Sequence, residues 1–318
     1  MMKTSRSAVS TRPRRGGRAG VAAALVVALV ATWVAAWIVG PAAASDEIRI
    51  GYLSQAQPRP PGLSDLDAPV DDAGLQGARL AIADNNTTGR FTGQTFVLVE
   101  QSLAADGDIA TAYRALLADG VAAVIANLSG DGLDRLLTAA DTDTALIFNA
   151  GAADDRFRRA DCRTYLLHTA PSRAMLADAL VQYLVKKNWK RWFLVIGRRP
   201  ADALYADALR RAATRFGGRI VTEKTWQAAG DFGRTAEAEV PVFTQVGAYD
   251  VLLVADEIGA FGEYLPYRTW DPRLVAGTQG LMPLAWHRTL EQWGGRQLQS
   301  RFQRLAGRPR TAADYAAW

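Results

Sequence analysis

The sequence predicts an α/β fold of two lobes, each a doubly wound parallel sheet with helices on both faces, and a cleft between the lobes. Continuous apolar runs of strand length, such as residues 121–126 and 145–148, are separated by a helix-length segment. A strand, a helix and a second strand form a parallel βαβ unit whose strands are buried on both faces. This alternation restarts after a crossing segment at residues 165–170, which indicates two similar halves.

The first half contains four predicted strands, at residues 47–53, 95–99, 121–126 and 145–148. Helices are predicted at residues 72–86 and 109–118, and a third helix connects the last two strands. A loop rich in proline (Pro58, Pro60, Pro61, Pro69) precedes the first helix. Gly74 and Gly77 in that helix predict close packing on the sheet.

The second half repeats the pattern, with predicted strands at residues 192–196, 219–222 and 249–254. Helices are expected from Pro171 to about Asn188 and from Pro200 to about Phe216. We expect the first lobe to span residues 45–168 and the second 169–278, with a return segment at 279–318 that begins a further helix of the first lobe. The chain stops at Trp318 inside that helix, so we expect the C-terminal part of the fold to be missing.

The positive charge of the chain lies in its N-terminal tail. The formal net charge is +5, but residues 1–44 contain six basic residues and no acidic residue, which leaves −1 for the remainder. Nucleic-acid-binding domains carry a basic surface of their own. The sequence therefore argues against nucleic acid as a partner.

The N-terminal tail has the pattern of a secretory signal peptide, assigned to residues 1–44. A basic region ends near Arg18, an apolar run covers residues 20–39, and an Ala-x-Ala site precedes Ser45. This predicts export to the periplasm. The apolar run is about as long as the ~20 residues that span a bilayer, so an uncleaved anchor is the alternative.

The sequence offers little for catalysis or metal binding. Cys162 is the only cysteine, and His168 and His287 are the only histidines. Three such residues spread over the chain lack the spacing of a zinc site. Neither a Gly-x-Ser-x-Gly motif nor a Walker A loop is present. We therefore predict a binding protein without metal or cofactor rather than an enzyme.

Small and polar residues follow two neighbouring strands of the first half. Ser129 and Gly130 come after the strand at 121–126, and Asn149, Ala150 and Gly151 come after the strand at 145–148. Ligands of open α/β sheets bind outside the carboxyl ends of adjacent strands. These five residues are therefore predicted to form one wall of a ligand cleft, with ordinary surface turns as the alternative.

Several motifs resemble those of type I periplasmic binding proteins, the Leu/Ile/Val-binding-like receptors of ABC transporters. They are the Gly74-x-x-Gly77-Ala-x-x-Ala81 pattern, the strand ends at Ser129 and Ala150, and Asp231-Phe232. A closer resemblance is to receptors encoded with PQQ-dependent alcohol dehydrogenase systems. It is carried by residues 256–257, 261–267, 277–281, 286–287, 293–294, 297–298, 301–302 and 314–318.

The resemblance implies a receptor that closes on a small solute and docks on a membrane permease, which would be its only route to the membrane unless the signal stays uncleaved. In amino-acid-binding relatives, hydroxyls and amides after the third and fourth strands hold the ligand carboxylate. Those positions resemble Ser129 with Gly130, and Ala150 with Gly151; amides at a helix N-terminus also favour an anion.

The second lobe of such receptors usually supplies an acid for the ligand's amine. Asp256, Glu257 and Glu263 are the candidates here, and the resemblance does not choose among them. Arg198 and Arg199 replace the acidic-aromatic turn of amino-acid receptors. We expect these two arginines either to select an anion in the cleft or to remain a solvated helix entrance.

The expected ligand is therefore an acidic or oxygen-rich small molecule linked to alcohol oxidation, with an amino acid as the alternative. Two other functions stay open. A sensory ligand-binding module would need a partner domain or a membrane anchor. A secreted hydrolase using Ser129 and His168 would lack the strained turn on which such a nucleophile sits.

Overall fold

A computed structural model of the protein describes residues 46–57, 70–140, 145–227 and 232–318. The predicted signal peptide at 1–44, the proline-rich loop at 58–69 and Asp231 lie outside the described residues. The helices and strands of the described part form two parallel sheets covered by helices. This confirms the predicted α/β fold with two doubly wound lobes.

The first sheet has the strand order β2–β1–β3–β4–β5. Its elements are β1 (Asp46–Gln55), α1 (Leu75–Thr92), β2 (Gln94–Leu103), α2 (Ile109–Ala118), β3 (Ala123–Asn127), α3 (Gly130–Ala139), β4 (Leu146–Asn149) and β5 (Leu166–His168). The pairs β1–β3, β3–β4 and β4–β5 are parallel, and Ala126 lies opposite Asn149. The ends of β3 and β4 are therefore level, and the predicted crossing segment contributes β5 to the same sheet.

The second sheet has the strand order β7–β6–β8–β9. Its elements are α4 (Arg173–Lys186), β6 (Arg191–Ile196), α5 (Pro200–Phe216), β7 (Arg219–Thr225), α6 (Phe232–Phe243), β8 (Val251–Ala255), α7 (Leu265–Arg268) and β9 (Leu274–Gly277). All three strand pairs are parallel. The strands of the two sheets fall within residues 46–168 and 191–277, and the exact lobe boundaries stay predictions.

The strand β6 shows why its sequence is a continuous apolar run. Successive side chains of a strand point to opposite faces. Trp192, Leu194 and Ile196 pack in the cluster beneath α4 and α5, whereas Phe193 and Val195 pack in a second cluster with Trp226 on the other face. Both faces are covered at these five positions, which is why the strand is a continuous apolar run after Arg191.

The last two helices, α8 (Gly295–Ala306) and α9 (Ala312–Ala317), pack on α1. Gly77 makes this possible, because a Cβ there would overlap the backbone carbonyl of Asp314. A Cβ on Gly74 would instead meet Asn127 and Tyr52 of the sheet. The predicted packing of α1 on the sheet therefore applies to Gly74, while Gly77 contacts α9.

Asp314 fixes α9 against the start of α1. Its side chain is fully buried and accepts hydrogen bonds from the amides of Gly74 at 2.8 Å and Thr311 at 2.9 Å. Arg308 donates to both carboxylate oxygens, at 2.7 and 3.1 Å. Burial alone would raise the pKa of Asp314, but these donors lower it below its ordinary value.

Arg310 lies in the same region and is 3 % exposed, with no hydrogen-bond acceptor for its guanidinium among the described residues. Its charge instead faces the rings of Trp286, Tyr315 and Trp318 at 4.7 to 4.9 Å. Burial lowers the pKa of Arg310 to about 10, so it stays charged at neutral pH. Aromatic faces attract such a cation and offset part of its desolvation.

Within the described part of the chain, no helix is both long enough and apolar enough to cross a bilayer.

Candidate functional site

Ser129 lies where the sequence predicts it, between the end of β3 and the start of α3. Its hydroxyl caps the helix by accepting from the Gly132 amide at 3.2 Å, and its carbonyl accepts from Leu133 at 2.8 Å. The amides of Gly130 and Asp131 come before this first intrahelical hydrogen bond. Amides at such positions have no carbonyl partner within the helix and can donate to an acceptor outside it. The N-terminus of α3 therefore offers donors to an anion.

The turn after β4 uses its polar groups internally. Asn149 is fully buried; its Oδ1 accepts from the amides of Gly151 at 3.2 Å and Ala152 at 2.8 Å, and its Nδ2 donates to the Ala152 carbonyl at 2.8 Å. The Ala150 amide donates to Ala126 at 2.9 Å. Asn149 thus shapes the turn, and only the surface of Gly151 is exposed.

In the second lobe, Asp256 also holds backbone. It is 1 % exposed, and its carboxylate accepts from the amides of Ala260 at 3.0 Å, Phe261 at 2.8 Å and Gly262 at 2.7 Å. A carboxylate that already accepts three amides fixes the loop that follows β8. Glu263 lies half-buried in the short 3-10 turn after this loop.

Arg198 and Arg199 are exposed at the start of α5. The Arg199 amide donates to Asp202 at 3.1 Å, and the other oxygen of Asp202 accepts from the Glu257 amide at 2.9 Å. Burial and the nearby charge of Asp256 raise the pKa of Asp202, although both amides lower it. Asp202 therefore ties the α5 entrance to the end of β8.

The sequence predictions missed Arg173, the first residue of α4. Arg173 is 7 % exposed and donates through Nε and Nη2 to the two oxygens of Glu257, at 2.6 and 2.7 Å. Its Nη1 forms an ion pair with Asp154 Oδ2 at 2.9 Å. Burial would lower the pKa of Arg173, but the two carboxylates raise it above its ordinary value.

These contacts join the two sheets. Asp154 follows β4 of the first lobe, whereas Glu257 follows β8 of the second. Asp155 adds two contacts to the second lobe, accepting from the Ala174 amide at 3.0 Å and from Arg211 at 2.7 Å. The carboxyl ends of both sheets therefore meet around Arg173. The only sequence signal was Ser172, whose hydroxyl caps α4.

The structure does not form the Ser129–His168 pair that a hydrolase would need. His168 lies at the end of β5, where its Nδ1 is 3.0 Å from Asn149 Nδ2. Burial, with a smaller contribution from Arg158, lowers the pKa of His168. Cys162 is an exposed free thiol in the loop before β5. In the described ranges, no cluster of three or more His, Cys, Asp or Glu residues is placed to hold a metal ion.

A separate concavity, called here the apolar groove, has a volume of about 360 Å³. It lies between α4 and residues 281–285, and Met175, Tyr183, Met282 and Leu284 line it. These four side chains are 44 to 56 % exposed. Contiguous exposed apolar surface of this kind marks a site of interaction.

Residues 47–240, more than half of the chain, match the protein family described as periplasmic binding protein. No curated protein sequence matches the chain at a significant level.

Solved structures with the same fold include three solute-binding proteins. The ABC transporter protein of R. palustris in complex with benzoate shares 15% identity, with 86% of this chain and 78% of that chain covered and a TM-score of 0.63. LivJ of Streptococcus pneumoniae with isoleucine shares 16% identity, covering 86% and 81%, with a TM-score of 0.64. The protein of Rhodopseudomonas palustris BisB5 with 3,4-dihydroxy benzoic acid shares 11% identity, covering 86% and 77%, with a TM-score of 0.57.

Proposed function

Because the chain belongs to the periplasmic binding protein family, we propose that it is the solute receptor of an ABC transporter. It binds one small molecule between its lobes in the periplasm and delivers it to a membrane permease. The observation that carries this proposal is the meeting of two sheets at their carboxyl ends around Arg173, Asp154 and Glu257. Ligands of doubly wound sheets bind at such ends.

The ligand is a small carboxylate or another oxygen-rich anion. The N-terminus of α3 at Ser129 and Gly130, beside the Asp154 carboxylate, supplies amide donors in the first lobe. The similar receptors were solved with benzoate, isoleucine and 3,4-dihydroxy benzoic acid, each of which carries a carboxyl group. Gly151 is the exposed part of the adjacent wall, with the buried Ala150 behind it, and Asn149 and Asp256 give the two strand-end turns their shape.

Arg198 and Arg199 are proposed as outer cation contacts of the bound anion, because their exposed side chains follow β6 at the same edge of the sheet. A link to PQQ-dependent alcohol oxidation remains part of this proposal. It is supported by the motifs of the second half, such as residues 261–267 and 277–281.

An amino acid is the second candidate ligand. Glu257 favours it, because a carboxylate at this edge would accept an ammonium group, although Arg173 engages both of its oxygens here. A sensory module would use the same cleft and differ only in its partner. A hydrolase is not favoured, since Ser129 caps α3 and His168 contacts Asn149.

The identity of the solute is tested by native mass spectrometry of the purified protein, followed by calorimetric titration with the released compound. We expect a carboxylate-bearing molecule. Arg198→Ala and Arg199→Ala should each weaken binding roughly ten- to a hundred-fold if they contact it, since a charge-assisted hydrogen bond contributes about 1.5–3 kcal/mol. Arg304→Ala, an exposed arginine of α8, is the matched control.

Two results would contradict the proposal in different ways. Unchanged affinity in both arginine variants would show that Arg198 and Arg199 do not contact the ligand. Failure of the protein to bind any small molecule, or hydrolysis of esters that Ser129→Ala abolishes, contradicts the receptor function itself.

A further inference from the structure

Arg173 is held rigidly where the two lobes meet. Its amide donates to the Ala153 carbonyl at 2.8 Å, and the next amide, that of Ala174, donates to Asp155. Ser172 caps the helix that Arg173 begins. The backbone is thus tied to the first lobe, while the fork of the guanidinium engages Glu257 of the second lobe.

The three charged side chains differ in their access to solvent. Counting side-chain atoms alone, Arg173 is 8 % exposed, Asp154 13 % and Glu257 24 %. Glu257 is therefore the outer member of the group. The desolvation of Arg173 has already occurred in the folded protein, so a carboxylate that replaced Glu257 would not meet that cost again.

The inner side of Arg173 connects to the start of α3. Asp154 Oδ2 lies 2.9 Å from Arg173 Nη1, and it would lie 2.5 Å from a Cβ on Gly130. Gly130 and the arginine therefore flank a single carboxylate. Nη1 is engaged by Asp154, so the edge of the guanidinium that a second-lobe carboxylate holds is the Nε and Nη2 edge, now on Glu257.

We propose that Arg173 binds the carboxylate of the solute in the cleft. The solute carboxylate replaces Glu257 as the partner of the guanidinium atoms Nε and Nη2. The inference rests on the proposed receptor function and assigns the charge class of its ligand. A planar guanidinium pairs with a carboxylate through two parallel hydrogen bonds. In this exchange Glu257 is the carboxylate that the solute displaces, and its contact with Arg173 keeps the buried cation paired.

Exchange of one carboxylate for another has a distinctive consequence. Glu257 competes with the solute, so removing its charge should strengthen solute binding. A purely structural ion pair predicts the opposite, because loss of either partner leaves a buried charge unpaired and loosens the site. The direction of the change in Glu257→Gln therefore separates the two roles.

The experiment titrates benzoate and L-leucine by calorimetry into the wild-type protein, Glu257→Gln, Arg173→Gln and Arg173→Lys. We expect Glu257→Gln to bind the better probe about ten-fold more tightly, and Arg173→Gln to bind it at least ~30-fold more weakly. Arg173→Lys keeps the charge but cannot form two parallel hydrogen bonds, so its affinity should lie between those of the wild type and Arg173→Gln. Arg211→Gln removes the neighbouring arginine that bonds Asp155 and should stay within about two-fold of wild type.

Each outcome has a separate meaning. Equal affinity of wild type and Arg173→Gln overturns the inference and leaves the receptor function intact. Weaker binding in Glu257→Gln also overturns it: a loss of affinity for both probes indicates a structural ion pair, whereas a loss for L-leucine alone makes Glu257 a contact for the ammonium group. If wild type binds neither probe and copurifies with no carboxylate, the proposed ligand class fails together with the inference. Should Arg173→Gln not fold, as judged by circular dichroism, Glu257→Gln alone decides.

Discussion

At the scale of single residues, the structure shows that burial, more than residue type, decides what a polar group does. Asn149 and Asp256 carry an amide and a carboxylate at strand ends, the pattern that predicts ligand contacts. In the structure, the side-chain oxygens of both residues instead accept hydrogen bonds from backbone amides of their own turns. The sequence could not reveal this, because the turn conformation that aims those amides inward depends on the folded chain. Their role in shaping the site stays part of the proposal.

Asp314 gives the first stability prediction. Its buried carboxylate accepts from Gly74, Thr311 and Arg308, so Asp314→Asn would remove the buried one of the two carboxylates that pair with Arg308, leaving Asp72, and turn an acceptor into a donor. We expect the free energy of unfolding to fall by about 3 kcal/mol, measured by urea denaturation. The control is Asp106→Asn, an exposed acid that should change stability by less than about 0.5 kcal/mol. Equal loss in both variants would contradict this role.

The same residue predicts a dependence on pH. The pKa of Asp314 is lowered in the folded state, so at a given acidic pH the side chain binds fewer protons in the folded than in the unfolded state. Its contribution is fully present above the unfolded pKa of about 3.9 and is lost as pH falls through the folded value. The stability difference between wild type and Asp314→Asn should therefore be constant from pH 7 to 5 and shrink below about pH 4. A difference that grows on acidification would refute the assignment.

At the scale of helices and strands, local periodicity predicted most of what is observed. The apolar runs became β3, β4, β6 and β8 because both faces of each sheet are covered. Helix α1 extends to Thr92, beyond the predicted end at residue 86, because Gly93 supplies a left-handed C-cap with a φ of 71°. The contact of α1 with α9 was not predicted, since it joins residues more than 200 positions apart.

Gly77 tests that contact. Alanine normally stabilises a helix over glycine by about 1 kcal/mol, but a Cβ at Gly77 would overlap the Asp314 carbonyl. We expect Gly77→Ala to lower the free energy of unfolding by about 2 kcal/mol, since backbone atoms must move. Gly247→Ala, where a Cβ meets nothing within 4 Å, should be neutral. Thermal unfolding of both variants measures this, and a stabilised Gly77→Ala would show that α9 does not pack there.

At the scale of the whole molecule, the two lobes and the family follow from the repeated βα pattern and its motifs, but the charge arrangement of the cleft does not. Arg173 and Glu257 are separated by 84 residues, and no local pattern pairs them. Arg198 and Arg199 are predicted as ligand contacts because they follow a strand end, although both are exposed. The charge class proposed for the ligand depends on which charged side chains are buried together, and only the folded chain shows this.

The apolar groove is a feature of this scale as well, because it combines α4 with residues 281–285. We expect it to bind the fluorescent dye ANS in the folded protein, since exposed apolar surface is what this dye reports. Met175→Lys and Leu284→Lys should each reduce the dye signal by at least half, whereas Leu204→Lys on α5, an exposed leucine outside the groove, should leave it unchanged. An equal signal in all four proteins would place the dye elsewhere.

The single cysteine limits the covalent assemblies open to this protein. Cys162 is exposed and the chain contains no second thiol, so oxidation cannot link two parts of one molecule. Each chain offers one linkage, and the largest disulfide product of the pure protein is a pair of chains. Electrophoresis without reductant should show one extra band and no ladder. For the same reason, a maleimide dye should attach to each chain once, at Cys162 on the first lobe. This labels the protein without any mutagenesis.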